Sequence, residues 1–258
     1  MLKRWRSWQQ DQMLKLKRIC KAKARAWQIE KFLPLGEFGR YLLGGLFLSL
    51  SFLFIFIQLA DELLENELVL FDQVGTGLIR SWDFPHATEV MTGITMLGSA
   101  GVTSLIAGLL VLALAARHKY FREATAIVVV LAGAGIMNIM LKYGFQRDRP
   151  NIGSLLQVSG YSFPSGHAMI ACAFYGLLAY LVWDNRECRR LKYILVPALA
   201  VLIAAIGVSR IYLGVHYPSD VVAGLAAGAF WLVLCILGLQ AVRHYQEQDR
   251  RQKERLGN

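Results

Sequence analysis

Six stretches of this chain are apolar and free of charge over close to the thickness of a bilayer: Tyr41 to Ala60, Val90 to Ala116, Ala124 to Leu141, Ala168 to Trp183, Tyr193 to Ser209 and Val221 to Val242. A helix needs about 20 residues to cross the hydrocarbon core. The Ala168 run is the short one, and the uncharged residues Tyr161 to Gly166 lead into it. We read an all-α, polytopic membrane protein with six transmembrane helices, spanning residues 41–242. A basic segment, 1–40, precedes this domain and a basic tail, 243–258, follows it.

Charge then orients the chain. The 258 residues carry a formal net charge of +10. On a soluble protein such an excess suggests nucleic acid or acidic partners. Here it sits in the first forty residues, in the 117–123 and 184–192 loops and in the tail. With six spans, all of these fall on one side. By the positive-inside rule that side is the cytoplasm, so both termini are expected there. No nucleic-acid partner is expected. The 61–89 segment falls outside and is acidic, with Asp61, Glu62, Glu65, Glu67, Asp72, Asp83 and Glu89 against Arg80. The first span is read as an uncleaved anchor, because its basic leader is too long for a signal peptide and no small-x-small site follows. Trp5, Leu16, Ile19 and Trp27 fall near one face of a surface helix that would meet an anionic inner leaflet; simple enforcement of topology explains the basic segment equally well. Of Cys20, Cys172, Cys188 and Cys235, two lie in spans and two in cytoplasmic segments, so no disulfide or zinc site is expected.

Leu68, Phe71, Val74, Leu78 and Trp82 recur at near-helical spacing, which suggests an interfacial helix with a packing role. Gly133 and Gly135, and the pair Gly224 and Gly228, read as close-packing positions between helices. Pro197 is the one obvious break in a span.

The orientation brings unusual polar residues to the outer face from three distant segments. Lys142, Arg147, Asp148 and Arg149 follow the third span. Ser165, Gly166 and His167 open the fourth. Arg210, His216 and Asp220 lie between the fifth and sixth. Cations at a span boundary are costly unless paired or wet, which makes them functional candidates. Guanidinium groups match phosphate oxygens, and a helix start at Ser165 favours an anion. A histidine can attack phosphorus, a second can protonate a leaving oxygen, and an acid can fix the tautomer of the first. No carboxylate cluster suited to magnesium is evident. Taken singly, Lys142 and Arg149 could snorkel, Ser165 and Asp220 could be helix caps, and Arg147 with Asp148 reads as a local ion pair.

Three motifs join these residues: KYGFQRDRP from Lys142 to Pro150, PSGH at 164–167, and SRIYLGVHYPSD from Ser209 to Asp220. In them the chain resembles the type 2 phosphatidic acid phosphatase superfamily, in its bacterial membrane lipid phosphatase branch. The resemblance implies His216 as nucleophile, Asp220 as its orienting acid and His167 as general acid. It implies Lys142, Ser165, Gly166, Arg149 and Arg210 as phosphate ligands, and chemistry without a metal or other cofactor. The expected substrate is a membrane lipid phosphate or pyrophosphate, such as undecaprenyl pyrophosphate, phosphatidylglycerol phosphate or phosphatidic acid, met on the extracytoplasmic face of the cytoplasmic membrane. A transporter or flippase of phosphorylated lipid would share the six spans, and a vanadium haloperoxidase would share the anion cradle.

Overall fold

The structure, a computed structural model, describes residues 36–256 apart from 83, 117–119, 151–153, 157 and 186–189. The basic segment up to residue 35, with its surface-helix expectation, lies outside the described residues. The chain divides into residues 1–44 and 45–258. Of the first, residues 36–44 are described and form the start of the first helix.

Among the described residues all regular structure is helical. The order is α1 (Glu37–Leu64), α2 (Val69–Arg80), α3 (Ala87–Leu97), α4 (Ala100–Ala115), α5 (Phe121–Phe145), α6 (Gly166–Asp184), α7 (Lys192–Tyr212) and α8 (Pro218–Leu256). Helices α1, α5, α6, α7 and α8 are each long and apolar enough to cross a membrane. The sixth expected span, Val90 to Ala116, is two helices, α3 and α4, bent by 47°. The break falls at Gly98 and Ser99, not at Pro197, which stays inside α7. Backbone groups freed by a break in lipid need new partners. The Tyr175 hydroxyl donates to the Leu97 carbonyl at 2.7 Å, and Ser99 Oγ accepts from Val102 N at 3.3 Å to cap α4. A side chain at position 98 would run into Ile206, so the bend also brings α3 against α7.

Helix α6 is central, packed by α5, α7 and α8. Its buried residues include Ala168, Ala171 and Ala173, whose small side chains let neighbouring backbones approach. Gly224 and Gly228 of α8 lie against it: a Cβ at 224 would stand 2.5 Å from Ser165 O, and one at 228 would stand 2.5 Å from Met169 O. Gly133 of α5 accommodates the Trp231 ring, whose Nε1 donates to Val130 O at 3.0 Å. Gly135 faces open space and has no packing role in the structure. Phe47, Phe54, Leu109, Leu112, Ile136, Met140 and Val201 stand outward, the belt that lipid would cover.

The helix expected over this segment is α2. Of the apolar face expected to pack, Leu68 is buried but Phe71, Val74 and Leu78 are exposed, and it is Asp72 that is buried against the ends of α7 and α8.

Gly224→Ala should lower the thermal midpoint in detergent, since overpacking against a backbone carbonyl costs roughly 1–3 kcal/mol. Gly135→Ala meets nothing and should be neutral or stabilise by up to about 1 kcal/mol. Paired melting curves check both.

Candidate active site

Antiparallel packing carries the C-terminal ends of α5 and α7 and the N-terminal ends of α6 and α8 to one side of the bundle. Lys142 is in the last turn of α5, and its Nζ donates to Tyr161 O at 2.7 Å. Helix α5 then stops on Gln146, whose left-handed backbone (φ 48°) lets its N–H cap the Lys142 carbonyl. The turn directs residues 147–150 back over the helix ends. Arg149 Nε donates to Gly160 O at 2.9 Å, and its Nη1 to Val215 O at 2.8 Å, 3.3 Å from His216 Nε2.

Ser165 occupies the cap position of α6, yet its side chain makes no capping bond. Its Oγ is buried without a partner, and so is Arg210 Nε. Both are donors held out of water with nothing to donate to, a state that costs free energy unless a ligand completes it. The Ser165 N–H donates to Asp220 O at 2.9 Å, which ties the start of α6 to the first turn of α8. Arg210, in the last turn of α7, is held by Thr95 of α3, with Nη1 to Oγ1 at 2.9 Å. Gly166 is a close approach: a Cβ there would lie 2.7 Å from Asn138 Oδ1. The His167 ring borders the break at Gly98, with Cδ2 3.5 Å from where a Cβ would stand.

His216 is buried in the turn between α7 and α8. Its Nδ1 faces Asp220 Oδ2 at 3.3 Å and Ser162 Oγ at 3.4 Å. Asp220 is a cap as well as a neighbour of the imidazole, because its Oδ2 accepts from Tyr217 N at 2.9 Å, the reach-back geometry of a helix first turn behind Pro218. Ser162 Oγ also donates to Oδ2. Burial pulls the His216 pKa down to about 4. The hydrogen bond and charge of Asp220 oppose that shift, and Arg210 and Arg149 add to it. The ring is therefore neutral near pH 7, and with Nδ1–H toward Asp220 its Nε2 lone pair faces Arg149.

Arg147 does not pair with Asp148 as expected. Successive side chains in a non-helical stretch diverge; Asp148 is exposed, and Arg147 turns inward. Its Nη1 donates to Asp220 Oδ1 at 2.6 Å and to Ser219 Oγ at 2.8 Å, and its Nη2 to Asp72 Oδ2 at 2.6 Å. The guanidinium lies 4.2 Å from the Tyr217 ring centroid. Burial would lower its pKa, but Asp220 and Asp72 outweigh burial and raise it. Arg149 lacks such compensation, and burial lowers it despite Asp220.

Sequence reasoning thus missed Asp72, Ser162, Thr95 and Asn138. Asn138 carried a signal, since it is the polar residue one turn before Lys142 on the same face of a span. Asp72 stood among seven acids of the 61–89 segment and could not be singled out. A cleft of about 800 Å³ opens beside His216 between α2 and the turns at 150 and 214–217, lined by Val69, Gln73 and Thr76 among others. Lys142, Ser165, His167 and Arg210 are not in its lining.

Residues 123–243 match the family model described as PAP2 superfamily. The chain is 34% identical over 185 residues to phosphatidylglycerophosphatase B of Bacillus subtilis, covering 69% of this chain and 83% of that protein. It is 36% identical over 123 residues to the putative undecaprenyl-diphosphatase YbjG of Escherichia coli, covering 46% and 58%. In structure it is similar to a transmembrane PAP2-type phosphatidylglycerolphosphate phosphatase from Bacillus subtilis, with a TM-score of 0.69 at 27% identity over 78% of this chain and 97% of that one. With the site's three motifs gathered at one end of the bundle and a relative of this identity matched over most of its length, the chain belongs to the PAP2 superfamily.

Proposed function

We propose that this protein hydrolyses a lipid phosphate or pyrophosphate through a phosphohistidine formed on His216. The observation that carries the reading is the pairing of a neutral, buried imidazole, backed by Asp220 and facing Arg149, with unpartnered donors on Ser165 and Arg210. Those donors fit phosphate oxygens, with Lys142 and the Gly166 N–H at the α6 N-terminus completing the cradle. His216 Nε2 attacks phosphorus as the bond to the leaving oxygen breaks, and His167 gives that oxygen its proton. Water, deprotonated by His167, then displaces His216 and releases inorganic phosphate. The cationic side chains stabilise charge on the equatorial oxygens in both steps.

A lipid substrate is supported by two things: the site sits at the ends of membrane-crossing helices, and the similar proteins are named for lipid phosphates and diphosphates. Phosphatidylglycerol phosphate, undecaprenyl pyrophosphate and phosphatidic acid are the candidates to assay. The bias of Lys and Arg toward residues 1–40, the 184–192 loop and the 243–258 tail favours cytoplasmic termini. It favours an anionic inner leaflet beside the basic N-terminus and an active site on the outer face of the cytoplasmic membrane.

Phosphate release from reconstituted protein tests the reading directly. His216→Ala should lose activity by about 10³-fold or more while keeping its melting curve; retained turnover on a lipid would end the nucleophile assignment. His167→Ala should lose roughly 10²–10⁴-fold in turnover on lipid substrates, whereas with an aryl phosphate of good leaving group the first step, read as a burst of released phenol, should be little affected. Because protonation removes the nucleophilic lone pair, the acid limb of kcat/KM set by His216 should fall near pH 4, not near the 6.5 of a free imidazole. A profile from pH 3.5 to 8 reads it.

A further inference from the structure

Asp72 belongs to α2, outside the three motifs, yet it is 3% exposed and accepts three hydrogen bonds from the active-site end of the bundle. Ser219 N donates to Oδ1 at 2.9 Å; Ser219 Oγ and Arg147 Nη2 donate to Oδ2 at 2.8 and 2.6 Å. Arg147 bridges onward to Asp220 Oδ1 at 2.6 Å, and the other oxygen of Asp220 faces His216 Nδ1. One guanidinium, 16% exposed, therefore lies between two carboxylates that are 3% and 0% exposed.

A neutral Arg147–Asp220 pair would be a poor partner for a histidine that gains positive character as it attacks phosphorus. A buried guanidinium attracts electron density on the carboxylate it touches and diminishes what that carboxylate offers elsewhere. With a second carboxylate on the far side, the group of three keeps one net negative charge. We infer that Asp72 is a positioning residue that neutralises Arg147 so that the charge of Asp220 remains available to His216. This rests on the reading of His216 as the nucleophile.

A charge role for Asp72 and a packing role differ in their consequences. Asp72→Asn leaves Arg147 to neutralise Asp220, so kcat should fall by roughly ten- to a hundredfold, the effect of one to a few nearby unit charges on a titrating group, with KM within about twofold. Adding Arg147→Gln to Asp72→Asn restores the single net negative charge and keeps a side-chain donor for Asp220. The double variant should regain at least about fivefold over Asp72→Asn, a non-additivity of the kind expected for groups in contact. Full-length protein in mixed micelles, a short-chain phosphatidic acid as substrate, and yield of folded protein alongside turnover are the measurements. The inference is overturned if Asp72→Asn leaves kcat unchanged or raises only KM. It is also overturned if turnover per folded protein in the double variant is no better than in Asp72→Asn, whether or not folding improves. His216→Ala in the same assay separates the two claims: if that variant stays active the nucleophile reading has failed, whereas an inactive His216→Ala with no recovery in the double variant removes the role of Asp72 alone.

Discussion

An ionised carboxylate at 0% exposure survives only if its oxygens are fully occupied, and Asp220 meets that demand by drawing in three separate pieces of chain. Oδ1 takes the Arg147 guanidinium from the turn after α5. Oδ2 takes the Ser162 hydroxyl from the stretch before α6, the Tyr217 N–H from the start of α8 and faces the imidazole between α7 and α8. Its own backbone carbonyl holds the Ser165 N–H. Several partners share this charge at once, so the local structure is over-determined. Helix ends that lipid packing alone would leave free to slide are thereby fixed to one another.

The cations proposed to bind phosphate are positioned in turn by other groups. Thr95 steadies Arg210, the carbonyls of Gly160 and Val215 steady Arg149, and that of Tyr161 steadies Lys142. Each cation thus commits part of its donor capacity to the scaffold, which limits its rotamers. Preorganised donors of this kind need no rearrangement when charge develops on a bound oxyanion.

Much of this was legible in the residues, for identifiable reasons. Apolar runs report lipid exposure directly, so the spans were readable, and the motif residues are dense enough in Lys, Arg, His and Ser to stand out against them. What was not legible depends on tertiary proximity. Asp72 is 75 residues from Arg147, and nothing local distinguishes it from its acidic neighbours. Arg147 was assigned to Asp148 because adjacency was the available guide, while backbone direction sends the two side chains apart. The bend at Gly98 leaves no mark in the sequence because a glycine inside an apolar run breaks no hydropathy pattern, whereas Pro197, a helix breaker by type, is absorbed near the start of α7. Gly133 and Gly135 look alike in sequence, and only the neighbouring Trp231 tells them apart.

The near-contact of Gly224 with the carbonyl of Ser165 has a mechanical corollary. At 2.5 Å from a would-be Cβ, helices α6 and α8 meet backbone to backbone, where no rotamer change can absorb a displacement. The proposed catalytic residues His167 and Asp220, mounted on them, are therefore held closely to one another. Whatever flexing admits and discharges a bulky hydrocarbon-tailed molecule has to be taken up by elements seated through side chains, whose interlocking tips can yield without disturbing the alignment of the reacting groups.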